Sequence, residues 1–595
     1  MSQTVGEFTL RRLHEHGVRR IFGYPGDGST GLNLAFHRVP EVEFVQTRHE
    51  ELAAFAACAH AKLTGEVGVC MATSGPGAIH LLNGLYDAKL DGAPVVALVG
   101  QQARMSMGGD YQQEVDLLSL FKDVAHHFVH VCATPEQAPH LIDRAIHIAQ
   151  AERAVTALIF PQDVQEEEAA DPPRAHGAVG SSSRPLSPTL FRPDDAALAQ
   201  AAEVLNAGER VALLVGQGAR GAVAEVLQVA DRLGAGIAKA LNGRAVLPDD
   251  LPHVTGSVGL IGTRPSDDMM QGCDTLLMVG TGFPYAEWLP EPGAARAVQI
   301  DIDGARLGIR YPNEVNLVGD ARQTLQALLP LLAHKPDRSW REGIEAGVAQ
   351  WWRTLAERAH ASAEPVNPQL VFHELSARLP DGAIVLADSG SSTVWWARHL
   401  RLRAGMDAAL SGTLASMGPA VPYALAAKLA HPDRPVIACL GDGAMQMLGM
   451  NGLIDLAAYA HRWSGPLVVL VVNNGDLNMV TWEQRATAAD AKQPDTQNLP
   501  PMDYAAFART LGLEGIRVER PEDVGPAWDR ALAARGPVVL DAVCDPEVPL
   551  MPPRIRAEHA KGVAGAVLHG DEGAARFVSQ TVKEKAREVL GRGGS

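Results

Sequence analysis

Apolar runs of strand length alternate with helix-spaced patterns along almost the whole chain. That alternation predicts parallel sheets covered by helices on both faces. In the first third, runs at 20–22, 42–45, 67–71, 95–99 and 157–160 predict strands, with helices over 51–64 and 78–90. A second block has strand-length runs at 211–215, 236–241, 275–279 and 297–302. Residues 335–367, including Trp351-Trp352, predict a helical connector packed between domains. The third block, 368–545, holds the two strongest apolar runs, 435–440 and 467–472. Glu-, Pro-, Gly- and Ser-rich sequence at 165–193 predicts a solvated linker. The pattern therefore predicts an α/β chain of three doubly wound parallel-sheet domains at 1–180, 190–335 and 365–550, followed by a helical tail at 551–595. Within the tail, Phe577, Val578, Val582, Ala586 and Val589 share one helical face and predict a docking helix.

Composition narrows the function classes. The 595 residues are 46% hydrophobic and 20% charged, as in ordinary globular proteins. A net charge of -17 with no basic stripe argues against nucleic acid as a partner. Six cysteines are scattered without CxxC spacing, which predicts reduced thiols and a cytoplasmic protein. The N-terminus lacks the apolar core of a signal peptide, and no run approaches the roughly 20 residues that span a bilayer. Mixed charge in the tail gives a membrane-surface role little support.

The chemistry concentrates at the ends of the two strong runs. Gly441-Asp442-Gly443 follows the first, and Asn473-Asn474 ends the second. Adjacent buried strands would each deliver an oxygen ligand beside a helix N-terminus, an arrangement suited to Mg2+ shared with a diphosphate. Arg48-His49-Glu50 sits between a predicted strand and a helix, where Glu50 could be either a cap or a buried acid. Thr73-Ser74-Gly75-Pro76-Gly77 is a tight turn that permits close backbone approach. Gly216-Gln217-Gly218-Ala219-Arg220-Gly221 is a GxGxxG after a strand, a motif of nucleotide-binding turns and of plain helix packing alike. His126, His127 and His130 have loose metal-like spacing, but no Cys or carboxylate completes a set, so ordinary strand positions are predicted.

Taken together, these residues make the chain resemble the thiamine-diphosphate enzymes of the acetolactate synthase and pyruvate oxidase family, from about residue 4 to 562. RHEELAAFAA, HLLNGLYDA, GLIG, GTGFPY, QIDID and the late AKG are similar to the pyruvate oxidase side, including the quinone-linked bacterial pyruvate dehydrogenase. The resemblance implies that the first domain binds the pyrimidine, the central one FAD and the third the diphosphate. It implies metal ligation by Asp442, Asn474 and the carbonyl of Asp476, and coenzyme contacts from Ser391, Ser392, Ala415, Ser416, Met417, Gly443, Ala444, Leu477, Asn478 and Met479. Glu50 becomes the acid on the aminopyrimidine ring, Met417 the wedge that keeps the coenzyme bent, and Gln113 a substrate-pocket residue. An FAD site is implied at Gly216, Gly218, Gly259, Leu260, Ile261, Gly262, Gly280, Thr281, Gly282, Phe283, Pro284 and Asp301.

Three departures stand out. Gln112-Gln113-Glu114 replaces the family's Phe-Gln-Glu, Asn478-Met479 stands where an aromatic is linked to flavin electron transfer, and the GDG-to-NN interval is longer near 461–465. The last should be a surface loop at the far end of a strand. The implied function is decarboxylation of a 2-oxo acid such as pyruvate, with electrons passing through FAD to quinone or oxygen. Two alternatives are a carboligase or lyase of the acetolactate synthase type, and a silent binding subunit; retention of Glu50, Asp442 and Asn474 opposes the silent subunit. Family members grip the coenzyme between subunits, which implies a homodimer as the minimum and commonly a homotetramer.

Overall fold

The structure, a computed structural model, describes residues 3–579 apart from 174, 188–189, 555–556, 572, 575 and 577. Three six-stranded parallel sheets, each flanked by helices, form the α/β architecture. The first contains β1 (Arg20–Gly23), β2 (Glu43–Gln46), β3 (Gly68–Ala72), β4 (Val95–Gln101), β5 (Val129–Val131) and β6 (Val155–Pro161), in the order β2-β1-β3-β4-β6-β5. The central sheet contains β7 (Val211–Val215), β8 (Gly236–Lys239), β9 (Val254–Ser257), β10 (Thr275–Val279), β11 (Arg296–Asp301) and β12 (Val315–Val318), ordered β12-β11-β10-β7-β8-β9. The third contains β13 (Ile384–Ala387), β14 (Asp407–Ala409), β15 (Val436–Gly441), β16 (Leu467–Asn473), β17 (Glu514–Val518) and β18 (Pro537–Val543), ordered β14-β13-β15-β16-β18-β17. The first and third sheets thus share one topology.

Central strands are covered on both faces, which is why they read as unbroken apolar runs. Every residue of β3, β4 and β6 is buried. The short strands β5, β9, β12, β14 and β17 all lie at sheet edges. Except in β9, which is buried throughout, they carry exposed or half-buried positions, and no long apolar run is required. His130 lies in β5, whereas His126 and His127 occupy the turn before it.

The linker expected from residue 165 starts later. A helix, Gln162–Glu166, follows β6, and the Gln165 side chain is fully buried. Its amide donates to the Gly28 and Phe160 carbonyls and accepts from the Leu32 N–H. A polar residue in a Glu-rich stretch therefore belongs to the core, because its amide satisfies three buried backbone groups. The connector is a helix, Ser339–Ala359, whose Ile344 and Val348 pack into the central domain's core. Most of the tail face, including Phe577, Val582, Ala586 and Val589, lies outside the described residues.

The first and third domains share one hydrophobic core, in which the Ala-rich helices Glu50–Thr64 and Ala420–Ala430 pack together. At the end of that contact, Lys62 donates to Asp91 at 2.7 Å, to the Tyr423 hydroxyl at 2.7 Å and to the Leu410 carbonyl at 2.9 Å. Asp91 also accepts from Asn242 of the central domain and from the backbone of Gly412 and Thr413. All three domains meet at this buried carboxylate.

Candidate active site

In the third sheet the strand order reverses between β13 and β15, the crevice where open α/β sheets place ligands. Asp442 leaves the C-terminal end of β15, and Asn474 follows β16 beside it. One Asp442 carboxylate oxygen accepts the N–H groups of Asn474 at 2.9 Å and Gly475 at 2.6 Å, and the other accepts from Gly443 at 3.0 Å. Among the described residues no cation pairs with this buried carboxylate. Burial pushes its pKa up to about 7 against those three N–H donors. A buried carboxylate without a counter-charge, beside an amide oxygen, fits a divalent cation. The Asp476 side chain is committed to Lys492 at 2.9 Å and to the Thr481 hydroxyl, while its carbonyl accepts the Asn478 N–H at 2.7 Å and keeps a second lone pair.

The diphosphate side has a matching cradle. The helix Ser391–His399 starts after Gly390, whose φ of 111° suits glycine. Ser392 is fully buried, and among the described residues its hydroxyl has no hydrogen-bond partner, which fits a polar ligand atom. At Gly443 a Cβ would meet Leu477 at 2.8 Å and Met417 at 3.1 Å, so Gly443, Leu477 and Met417 converge. Met417 follows Ala415, a non-glycine residue at φ 55°, and the loop is clamped by Asp388. The Asp388 carboxylate accepts from Ser389, Gly418 and Ala420 N–H at 2.8–3.0 Å, and its carbonyl accepts from the Thr393 hydroxyl. Burial raises the Asp388 pKa to about 6, with those N–H groups opposing the shift.

The helical segments after β15 and β16 each carry a π-helical turn, at Met445–Gly449 and at Gln484–Ala488. Such turns cluster at functional sites, and nothing in the apolar pattern signals them. The extra length near 461–465 forms a turn before β16, at the end opposite Asn474, where Arg462 reaches Glu43 at 3.1 Å.

The Arg-His-Glu segment divides its roles. Arg48 pairs with Asp455 of the third domain at 3.2 Å. His49, not Glu50, caps the helix, through Nδ1 accepting the Glu51 N–H at 3.1 Å. Glu50 is buried, with one carboxylate oxygen 3.0 Å from His80 Nδ1. His49 and His80 stack at 4.5 Å between ring centres. Next to them, Gln102 donates to the Ser74 hydroxyl at 3.1 Å, and Ser74 donates to Gln113 at 3.2 Å. Gln113 has φ 63°, and a Cβ on Gly75 would strike it at 2.9 Å, so the tight turn at Gly75 admits Gln113. His80, Asn83, Gln102 and Asp388 were not singled out from sequence, although His80 and Asn83 stand within HLLNGLYDA, and Ser74 was named only as part of a tight turn. Asn83 joins Glu51 at 2.6 Å to Ser416 at 2.8 Å, bringing the wedge loop to the first domain. Among the described residues no hydrogen bond joins Glu50 to Asp442, Asn474 or Asp476 within the chain.

In the central sheet the order reverses between β7 and β10. Gly216 and Gly218 follow β7, Gly280 follows β10, and a Cβ on Gly216 would lie 2.3 Å from the Gly280 carbonyl oxygen. The glycines therefore let two turns close together at the switch point. Thr281, Gly282, Phe283 and Pro284 extend from there, and the Phe283 ring lies over Gly259. Asp301 ends β11, buried, with its pKa raised by that burial. Leu260 and Ile261 pack on the third domain's core, as does Met479, and Arg398 donates to the carbonyls of Leu260 at 2.9 Å and Gly262 at 2.9 Å. Asn478 instead is tied to Asp476 and the Pro546 carbonyl. All six cysteines are free and buried. Among the described residues no helix is long and apolar enough to cross a membrane.

Comparison with known proteins agrees with this geometry. Residues 3–120, 198–328 and 388–542 match the N-terminal TPP binding, central and C-terminal TPP binding domains of the thiamine pyrophosphate enzymes. The chain is 36% identical over 589 residues to YdaP of Bacillus subtilis, covering 99% of this chain and 100% of that one. It is 30% identical to the pyruvate oxidase of Lactiplantibacillus plantarum, over 94% of this chain and 92% of the relative. It is 31% identical to the acetolactate synthase of Mycobacterium bovis, over 92% of this chain and 89% of the relative. With the Asp442–Asn474 strand tips, the Ser392 cradle and the buried Glu50 in place, the chain belongs to the thiamine-diphosphate-dependent enzymes of the pyruvate oxidase and acetolactate synthase family.

Proposed function

We propose that this enzyme decarboxylates pyruvate or a similarly small 2-oxo acid and passes the electrons through FAD to quinone or oxygen. The observation that carries the redox half is the central domain's switch point. The turns at Gly216–Gly218 and Gly280–Pro284 and the buried Asp301 sit at the C-terminal ends of the neighbouring strands β7, β10 and β11, while Leu260 and Ile261 reach the core that Met479 touches. Dinucleotides bind at such a reversal.

Thiamine diphosphate, when bound, stabilises the carbanion left by loss of CO2. The chain's own groups supply the rest. Asp442, Asn474 and the Asp476 carbonyl would hold Mg2+, and Ser392 with the helix N-terminus at Ser391 would bind the phosphate oxygens. Met417, backed by Leu477 and held through Asp388, would orient the coenzyme's reacting end, a proximity effect. Glu50 holds the proton shared with the aminopyrimidine, and His80 steadies its carboxylate. Ser74, Gln102 and Gln113 orient the keto acid through one hydrogen-bonded chain. In this reading two chains form each site, Glu50 coming from one and Asp442 from the other.

A second reading is an acetolactate synthase-type carboligase, favoured by the Asn478-Met479 pair in place of an aromatic. The test is anaerobic addition of pyruvate to enzyme loaded with thiamine diphosphate, Mg2+ and FAD. Rapid bleaching of the flavin supports the oxidase; persistent colour with acetolactate formation supports the ligase. Failure to retain FAD would overturn the redox reading.

A further inference from the structure

The far end of the helix Ser391–His399 borders a second cavity that the reaction does not use. Eight residues separate Ser391 from His399, about 12 Å of helix. There a cleft of 390 Å³ opens between the connector helix Ser339–Ala359 and the helices Pro368–Arg378 and Ser391–His399. That volume lies in the ligand-pocket range and would hold about a dozen waters, far more than one bridging water.

Its lining is chemically one-sided. Leu355 and Ala356 make an apolar wall, and Arg353, His373, His399 and Arg401 provide the polar groups. No Asp or Glu lines the cleft. The Arg401 guanidinium lies over the Trp352 ring at 4.2 Å, and Arg353 contacts only the neutral Gln350 side chain, at 2.6 Å. Among the described residues neither arginine is within ion-pair distance of a carboxylate. Glu374, the nearest acid in sequence to His373, is taken by Arg378.

His399 is 2% exposed, and among the described residues neither of its ring nitrogens, both closed to solvent, has a hydrogen-bond partner. Burial, with Arg398, Arg358 and His373 nearby, holds its pKa well below the ordinary value, so the ring is neutral and offers one donor and one acceptor. With both nitrogens sealed from the cleft, the ring is a neutral part of its wall, and the two arginines carry its charge.

We propose that this cleft binds a small organic oxyanion, its carboxylate or phosphate held by Arg401 and Arg353 and its apolar body on Leu355 and Ala356. Calorimetric titration of the full-length enzyme, already saturated with thiamine diphosphate and Mg2+, tests this with benzoate, phenyl phosphate and inorganic phosphate. Benzylamine, of similar size and opposite charge, is the control. The expected result is one saturable site per chain for at least one oxyanion and none for benzylamine. Which of the three binds most tightly identifies the head group. Arg401→Gln and Arg353→Gln, both changes at exposed positions, should each weaken binding at least about tenfold, the size expected for losing a charge-assisted hydrogen bond. No saturable binding of any oxyanion, binding of benzylamine alone, or affinity unchanged in both variants would overturn the proposal. Should Arg401→Gln disturb the fold by circular dichroism, Arg353→Gln decides.

Discussion

One carboxylate oxygen of Asp442 accepts the backbone N–H of Asn474, 32 residues later, at 2.9 Å, and so locks two strand tips into one ligand set. The cost is a buried acid. Its folded pKa is about 7 against an ordinary 3.8. The folded chain keeps the proton where the unfolded chain has lost it, so stability from this group is present at low pH and declines as pH rises from about 4 to about 7. Asp442→Asn stays neutral and removes that slope. Asp388 and Asp455, also raised by burial, act in the same sense in both proteins and cancel in the comparison. In EDTA, the variant should gain on the wild type between about pH 5 and about pH 7.5 by up to a few kcal/mol, at about 1.4 kcal/mol per pKa unit. Thermal denaturation across that range measures it.

Glu50 is freed from capping by His49 and is buried against His80. Glu50→Gln should lower kcat by about 10²–10⁴-fold, the usual contribution of a positioned acid or base. Affinity for thiamine diphosphate, set at the distant diphosphate end, should change little. Steady-state kinetics alongside a coenzyme titration separates the two.

If each site draws Glu50 and Asp442 from different chains, two dead variants should rescue one another. A heterodimer of Glu50→Gln and Asp442→Asn chains contains one intact site and one doubly altered site. Mixing the two under conditions of subunit exchange should restore activity that neither shows alone. Mixtures that stay inactive after verified exchange would place both residues in a single-chain site.

Asp388 satisfies three backbone N–H groups at once, two of them in the loop carrying Met417. Asp388→Ala leaves those donors buried and unpaired, at about 1–3 kcal/mol for each that water cannot reach. Denaturant unfolding should show a loss of several kcal/mol, with Asp388→Asn retaining part of it through its remaining oxygen.

The central strands were legible because burial on both faces writes itself as continuous apolar sequence, as in β4, β15 and β16. Edge strands such as β12, where buried and exposed residues alternate, carry no such mark. Gly441-Asp442-Gly443 and Asn473-Asn474 were legible because the spacing of two apolar runs brings their ends together. His80, Gln102 and Asp388 were not, since each acts through a partner distant in sequence. Gln165 was misread for the same reason: only the backbone groups it satisfies show that it is core. The GxGxxG was legible as a turn, but that its glycines close on Gly280 depends on strand order, which spacing alone does not reveal.

The central claim is that Asp442 and Asn474 hold a divalent ion that carries the coenzyme's diphosphate. Calorimetric titration of thiamine diphosphate into metal-free protein, with and without Mg2+, tests it most directly. The account predicts saturable binding only with Mg2+, weakened at least about 100-fold in Asp442→Asn, more than the 10–100-fold typical of losing an outer-shell partner. Equally tight binding in EDTA, or in Asp442→Asn, would contradict it.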